Sequence, residues 1–271
     1  TYLGYLNYIE ASTTTLATAA EVQGDLIVDN LKTRESDDFW RFEVGPGSTS
    51  ATVTATLAAD QTIGCVTTQF PRGTYTGVSE DAPAFGPSDT IRYRLLDAGG
   101  SLVTGGDSTA VASGVVVGYM VHVWKPASPI AGVRKIEATY NAASRESSTF
   151  CDVGMLGAWS IIEPSVGFSY PGGFGWRHNI ELARTTTGRP YGARFEPLRR
   201  WSMTFDFLTN AERMTIDEMI RYSGGARQVF VRRGDLPTGQ DAMLALLSAT
   251  RDMEARTADR WQQSLTFDEF I

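Results

Sequence analysis

The chain has 271 residues, of which 42% are hydrophobic and 20% are charged, and its formal net charge is −7. This length accommodates two ordinary domains or one large β domain. The acidic balance argues against a nucleic-acid partner, because phosphate binding requires a concentrated basic face. No run of about 18 apolar residues occurs, so we predict no membrane span. Cys65 and Cys151 are too few for a disulfide framework, and we expect two buried thiols.

Short β-strands are predicted for the first half of the chain. The candidate segments are rich in Thr, Val, Ile and Tyr, and Gly, Pro, Ser and Asp separate them. They are residues 51–57, 62–68, 90–96, 115–124 and 133–140. The intervening segments 69–89 and 99–114 are predicted to be loops. Regularly spaced short strands, with no helical periodicity before about residue 209, indicate a β-sandwich or barrel.

A strand–helix–strand unit is predicted for residues 198–232. Apolar residues alternate with polar ones from Trp201 to Phe207, as on a half-buried strand. Thr209 and Glu212 have the spacing of a capping box, which starts a helix. The glycine pair at 224–225 follows the last helical turn, where a left-handed cap is needed. A second short strand then completes the unit.

The composition changes after residue 140, where the segment NAASRESST is small and polar. We therefore predict a β-sandwich over residues 1–145 and an α+β domain over residues 146–271. Whether the chain passes between the two domains more than once stays open. Residues 243–250 and 260–270 are predicted to be the last two strands. The predicted fold class is mainly β: an N-terminal jelly-roll-like β-sandwich, then antiparallel strands with one packed helix.

The order of several short segments resembles known families. NLKTRESDDFWRF, ATVTATLAADQTIGCVTTQF and TIRYRLLDAGGSL resemble the galactose-binding-like β-sandwich, and VRKIEATYNA is similar to its closing strand. Residues 158–271 resemble the C-terminal part of minor tail or distal-tail-type proteins of long-tailed bacteriophages. That resemblance implies a structural virion protein in a tail tip or baseplate, which forms a homo-oligomeric ring and contacts other tail proteins. It also implies attachment to a host-surface glycan.

The sequence contains no Gly-x-Ser-x-Gly elbow, His-Glu-x-x-His motif or EF-hand loop. With two histidines, His122 and His178, a catalytic triad or a His-rich metal site is not expected. We therefore expect a protein that is not an enzyme and holds no cofactor or metal. The acid pairs at 37–38 and 80–81 leave two alternatives open, a glycosidase pair or calcium ligands. The main hypothesis is the virion protein, and the alternative is a carbohydrate-binding module for a cell-surface glycan.

Candidate glycan-binding residues are chosen by their position in loops. A sugar needs an aromatic face together with polar neighbours, and Tyr75, Phe85 and Arg92 meet this description. Trp40 is also a candidate, although a place in the sandwich core is favoured for it.

Candidate interface residues lie in the Gly-rich run 171–178, which is predicted to be a flexible arm or turn. Phe174, Trp176 and Arg177 are its candidate contacts, since exposed aromatic side chains serve as interface anchors. A group of arginines farther along the chain is expected to form a solvated face or an interface. These arginines are Arg189, Arg194, Arg199 and Arg200.

Overall fold

The structure is a computed structural model, and its described residues form mainly antiparallel β-strands with one α-helix, which confirms the predicted fold class. It describes residues 1–19, 27–32, 39–44, 49–70, 89–112, 121–142, 149–177, 180–184, 190–194, 198–234, 241–250 and 253–269.

The strands of the first part of the chain are β1 (Tyr2–Asn7), β2 (Thr15–Thr18), β3 (Trp40–Val44), β4 (Ser50–Ile63), β5 (Cys65–Gln69), β6 (Thr90–Leu96), β7 (Leu102–Asp107), β8 (Val111–Ala112), β9 (Val121–Trp124), β10 (Ile130–Asn141), β11 (Thr149–Val153) and β12 (Met155–Ile162). A 3-10 helix covers Val28–Lys32. The later elements are β13 (Phe168–Arg177), β14 (Ile180–Arg184), β15 (Pro190–Arg194), β16 (Leu198–Leu208), α1 (Asn210–Ser223), β17 (Gln228–Arg232), β18 (Ala242–Thr250), β19 (Glu254–Thr257) and β20 (Arg260–Glu269).

The chain divides into two compact units. Residues 2–161 and 230–243 form one unit, which we call the sandwich unit. Residues 162–229 and 244–271, with residue 1, form the other, which we call the helix-bearing unit. The first division between units lies after residue 161, whereas the domain boundary expected from composition lies after residue 145; that boundary stays a prediction.

Two antiparallel sheets face each other in the sandwich unit. One has the strand order β17-β1-β12-β5-β9, and the other has the order β2-β4-β10-β6-β7 with β8 paired to β6. On β4 the residues from Ala51 to Leu57 alternate between buried and more exposed positions, so its apolar side chains enter the core. Trp40, Phe42 and Tyr140 are fully buried in this core, which contains residues of both sheets. The β3–β11 ribbon supplies Trp40 and Phe42.

Part of the segment predicted to be a loop over residues 99–114 is a strand. β7 pairs with β6, and Gly105 takes a left-handed φ of 77° within it. A Cβ atom at Gly106 would approach the carbonyl oxygens of Leu95 and Val103 to 2.8 Å, so only glycine fits there. The close approach of the backbones explains why glycines occur in this strand. The same glycines had led to the prediction of a loop.

The helix-bearing unit contains a sheet of order β13-β16-β20-β18, with β19 paired to β20. The helix α1 contacts β16 and β20 and buries Ile216 and Met219. The predicted capping box is confirmed, because Thr209 accepts from the Glu212 N–H while Glu212 accepts from the Thr209 N–H. Gly224 has the predicted left-handed conformation, with φ 49°.

Two expectations for this unit are wrong. The Gly-rich run is not a flexible arm or turn up to residue 177, because it forms β13 and pairs with β16. Phe207 does not continue the buried face of β16; it is 51% exposed, and Leu208 is buried instead. The register between β16 and β20 shifts between Phe205 and Leu208, and Phe207 has φ 61° at this bulge. The extra residue turns Phe207 outward.

Candidate functional site

Of the candidate glycan residues, Arg92 is among those that the structure describes, and it lies on β6 rather than in a loop. Tyr75 and Phe85 lie outside the described residues, as do the acid pairs at 37–38 and 80–81. Arg92 lies on the outer face of the sandwich unit, where its Nε and Nη2 donate to the two carboxylate oxygens of Asp107 at 2.9 and 2.5 Å. Hydrogen bonding by Arg92 lowers the pKa of Asp107 to about 2.

His122 belongs to a buried hydrogen-bond network in the sandwich unit. Its Nδ1 lies 3.1 Å from the hydroxyl of Tyr93, and that hydroxyl lies 2.8 Å from Thr68 Oγ1. Thr68 also contacts the hydroxyl of Tyr140, at 3.1 Å. Burial lowers the pKa of His122 to about 4. The imidazole is 4% exposed, so its position fits a role in packing rather than in catalysis. Cys65 and Cys151 are buried thiols, as expected.

The candidate interface residues lie near the end of β13, with Phe174 and Trp176 on one face of the strand and Arg177 on the other. Phe174 is 39% exposed and Trp176 is 50% exposed. Their partners on β16 are Trp201 and Arg199, so they extend the apolar face of the sheet to its edge strand. Phe174 meets the Trp201 ring edge-on, with centroids 6.1 Å apart. Both aromatic side chains are therefore accessible, and their role at an interface stays a prediction.

The expectation of a solvated arginine face is wrong for Arg199. This residue is buried, and its guanidinium donates to Glu269 at 2.8 and 2.5 Å. Arg200 is on the other face of β16 and donates to both carboxylate oxygens of Asp268 at 2.5 and 2.7 Å. The side chains of Arg189 and Arg194 are outside the described part of the molecule.

A groove lies on the face of the helix-bearing unit's sheet that carries Ser202 and Thr204. Its volume is about 320 Å³. We call it the hydroxyl groove, because it is lined mainly by small and hydroxyl-bearing residues of three strands. These residues are Ser202, Met203, Thr204, Ala249, Thr250, Ser264, Leu265 and Thr266. The volume is at the lower end of the ~300–1,000 Å³ typical of small-molecule sites.

Cross-strand hydroxyl pairs form the floor of the hydroxyl groove. Ser202 Oγ lies 3.1 Å from Thr266 Oγ1, and Thr204 Oγ1 lies 2.8 Å from Ser264 Oγ. A hydroxyl donates one hydrogen bond and accepts up to two. Each pair uses one donor and one acceptor for itself, so one donor and further acceptors per pair can face a ligand. The pairing of β16 with β20 places these hydroxyls next to each other.

Charged residues border the groove at both ends. Next to the Ser202–Thr266 pair lies the Arg200–Asp268 pair, and Arg177 Nη1 donates to the same Asp268 carboxylate at 3.2 Å. Hydrogen bonding by Arg200 lowers the pKa of Asp268, which therefore stays ionised. At the opposite end, the Asp206 carboxylate accepts from Ser169 and from the Gln262 amide.

The hydroxyl groove was not predicted from the sequence, although a signal for it exists. The tetrapeptide Ser-Met-Thr-Phe at residues 202–205 is followed much later by Ser-Leu-Thr-Phe at residues 264–267. Each repeat puts two hydroxyls on one face of a strand and apolar residues on the other. Antiparallel pairing of the two strands then makes the four hydroxyls neighbours.

The described residues bring together no group of three or more His, Cys, Asp and Glu side chains that could hold a metal ion. Within the same ranges, no helix has the length and apolar character needed to cross a membrane.

No family model matches the chain, and no curated protein matches it. Among solved structures, a family 32 carbohydrate-binding module from NanJ of Clostridium perfringens, in complex with galactose, has 13% identity and a TM-score of 0.40; the match covers 58% of this chain and 99% of that one. The family 32 module from EndoD of Streptococcus pneumoniae has 11% identity and a TM-score of 0.40, over 57% and 99% of the two chains. A fucose-binding module of Streptococcus pneumoniae has 12% identity and a TM-score of 0.39, over 57% and 95%. With TM-scores below 0.5, these likenesses assign no family, and function is inferred from the chain's own geometry.

Proposed function

We propose that this chain is a non-catalytic binding protein that recognises carbohydrate through the hydroxyl groove. The observation that carries this proposal is the arrangement of four groove hydroxyls in two hydrogen-bonded pairs within a cavity of about 320 Å³. Saccharides present closely spaced hydroxyls, each of which donates and accepts. A surface of paired hydroxyls, bordered by charged hydrogen-bonding groups, offers matching partners at low entropic cost.

The charged groups around the groove support binding without bond cleavage. Asp268 is held by two arginines, and Asp206 accepts from Ser169 and Gln262. Glycoside hydrolysis uses a carboxylic acid and a carboxylate on either side of the reacting bond. Asp268 stays ionised and lies beside Arg200 at one end, so it is unsuited to donate a proton. The proposed activity is therefore recognition alone.

A glycan array probed with the full chain tests this proposal. Thr204→Val and Thr266→Val each remove one groove hydroxyl while keeping the side-chain shape. We expect each variant to bind the best glycan at least tenfold more weakly, because a buried sugar hydroxyl loses its partner. Thr139→Val is the matched control, since its hydroxyl pairs with Thr52 at 2.9 Å on an exposed face of the sandwich unit. The proposal fails if no glycan binds at millimolar concentration, or if the control weakens binding as much as the groove variants.

The exposed aromatic side chains of β13 favour a second candidate function, which is assembly. Phe174 and Trp176 lie on an edge strand, and such residues are typical anchors of protein–protein contacts. The sequence resemblance implies that the assembly is a ring in a phage tail tip or baseplate, with other tail proteins as partners and the virion as location. Native mass spectrometry of the chain and of a Phe174→Ser/Trp176→Ser variant tests this candidate. A ring that the variant does not form supports assembly, and a monomer in both cases contradicts it.

A further inference from the structure

We propose that the hydroxyl groove selects an acidic saccharide, whose carboxylate binds Arg177 and Arg200. This inference rests on the proposed function and adds the class of ligand. Its basis is the unequal charge at the end of the groove next to Ser202. Among the residues that the structure describes, two guanidinium groups share the Asp268 carboxylate there, so these three side chains carry a net charge of +1.

Both arginines are accessible to a ligand. The side chain of Arg200 is 45% exposed and that of Arg177 is 55% exposed, whereas that of Asp268 is 11% exposed. A guanidinium carries five N–H donors. Arg200 uses two of them on Asp268, and Arg177 uses one. The two side chains therefore present further donors to solvent, in the planar geometry that suits a carboxylate.

The glycines of β13 leave the path from hydroxyls to guanidiniums open. In the register of β13 and β16, Gly173 is opposite Ser202 and Gly175 is opposite Arg200. A Cβ atom at Gly175 would have no other atom within 4 Å, so the space above this position is empty. Residues two apart on a strand are ~7 Å apart. One or two saccharide units on the hydroxyl pairs can thus reach the guanidiniums of the adjacent row.

The negative charge at the opposite end of the groove determines the orientation of the bound ligand. Asp206 provides a carboxylate beside the Thr204–Ser264 pair, and its two oxygens accept from Ser169 and Gln262. An anionic group is repelled there and attracted at the arginine end. An acidic saccharide therefore binds with its carboxylate towards Arg177 and Arg200 and its neutral hydroxyls towards Asp206.

The test uses matched pairs of oligosaccharides and the full chain. Oligosaccharides that end in a uronic or sialic acid are each compared with the form in which the carboxylate is reduced to an alcohol, with sulfated and neutral glycans on the same array. We expect the acidic member of the best pair to bind at least tenfold more tightly than its reduced form, and this preference to shrink at high salt. We expect Arg177→Gln and Arg200→Gln to lower the preference below about threefold, since each removes one partner of the carboxylate.

Arg94→Gln is the control variant, because the Arg94 side chain is 38% exposed and its Nη1 donates to the Glu137 carboxylate at 2.8 Å in the sandwich unit. It should leave the preference unchanged. Arg177→Gln keeps the test decisive if Arg200→Gln fails to fold, because Arg177 makes a single 3.2 Å bond to Asp268. Equal affinity for acidic and reduced forms, or binding of neutral or sulfated glycans alone, overturns the inference while the proposed function stands. Failure to bind any glycan overturns both.

Discussion

The phenolic oxygen of Tyr93 lies 3.1 Å from Nδ1 of His122, and this contact joins the two sheets of the sandwich unit. Tyr93 is on β6 of one sheet, and His122 is on β9 of the other. Burial is the main cause that lowers the pKa of His122 to about 4, and the positive charge of Arg232 adds to it. The folded chain therefore holds the imidazole neutral at pH values at which the unfolded chain protonates it.

We predict that acid destabilises the sandwich unit through His122. The pKa of the unfolded residue is about 6.5, so its contribution is fully present above pH 6.5 and is lost as the pH falls towards 4. The difference between the pKa values of the unfolded and folded states corresponds to a loss of about 3 kcal/mol in the free energy of unfolding. His122→Phe keeps a ring beside Tyr93 but cannot take up a proton. Urea unfolding at pH 7, 5.5 and 4 should show a smaller loss for the variant by about this amount; equal losses in both proteins would show that His122 is not responsible.

The capping box of α1 gives a second prediction. Glu212 accepts from the backbone N–H of Thr209 at 2.7 Å and from that of Ser165 at 2.5 Å. Burial raises the pKa of Glu212, but these hydrogen bonds outweigh it and lower the pKa to about 2. Glu212→Ala should cost about 1–2 kcal/mol in denaturant unfolding at pH 7.

The contribution of Glu212 is present above about pH 4.5, and protonation removes it as the pH falls towards 2. The difference in the free energy of unfolding between Glu212→Ala and the parent chain should therefore become smaller in acid. Glu218→Ala is the matched control, because Glu218 is an exposed glutamate on the same helix, and about 0.5 kcal/mol is the most it should change. A Glu212 effect no larger than that of Glu218 would contradict a stabilising cap.

The capping box and the strand alternation were predictable from sequence because their signals are local. Thr209 and Glu212 are three residues apart, and alternation is visible within a few residues. The Arg199–Glu269 ion pair was not predictable in this way, because its partners are 70 residues apart and meet only after β16 and β20 pair. The hydroxyl groove was not predicted for the same reason, because its hydroxyls lie on strands that are far apart in sequence.

Two glycine-rich segments were wrongly predicted to be loops, because their glycines allow close packing inside strands. β7 and β13 were predicted to be loops because they are rich in glycine, yet both are paired strands. The bulge that exposes Phe207 likewise leaves no mark in an alternating sequence, since one extra residue shifts the faces only in the paired state.

Gly157 on β12 gives a third prediction, about packing in the sandwich unit. A Cβ atom here would lie 2.4 Å from Trp159 Nε1 and 2.6 Å from Thr67 Oγ1, and these two atoms are hydrogen-bonded at 2.8 Å. Gly157→Ala must therefore displace a buried indole and break its bond. We expect a loss of about 2–4 kcal/mol, from overpacking together with the lost hydrogen bond. Gly167→Ala is the control: no atom lies within 4 Å of its added Cβ, and its thermal unfolding should match that of the parent chain.

The last prediction concerns the buried ion pair of Arg199 and Glu269. The Arg199 side chain is 4% exposed and that of Glu269 is 7% exposed, and Glu269 also accepts from the Arg199 backbone N–H at 3.0 Å. Arg199→Met removes the guanidinium that donates to the buried Glu269 carboxylate, so we expect a cost of about 3–5 kcal/mol. Replacing both residues, as Arg199→Met with Glu269→Leu, removes both charges and should recover much of this loss.

Arg221→Met tests whether burial is the reason for that cost. Arg221 pairs with Asp217 on α1 at 2.7 Å, but their side chains are 79% and 41% exposed. Solvent screens this pair, and its loss should cost at most about 0.5 kcal/mol. Guanidinium unfolding of the three variants and the parent chain provides the comparison. Similar losses for Arg199→Met and Arg221→Met, or a double variant no more stable than Arg199→Met, would show that desolvation of Glu269 does not determine the stability of this sheet.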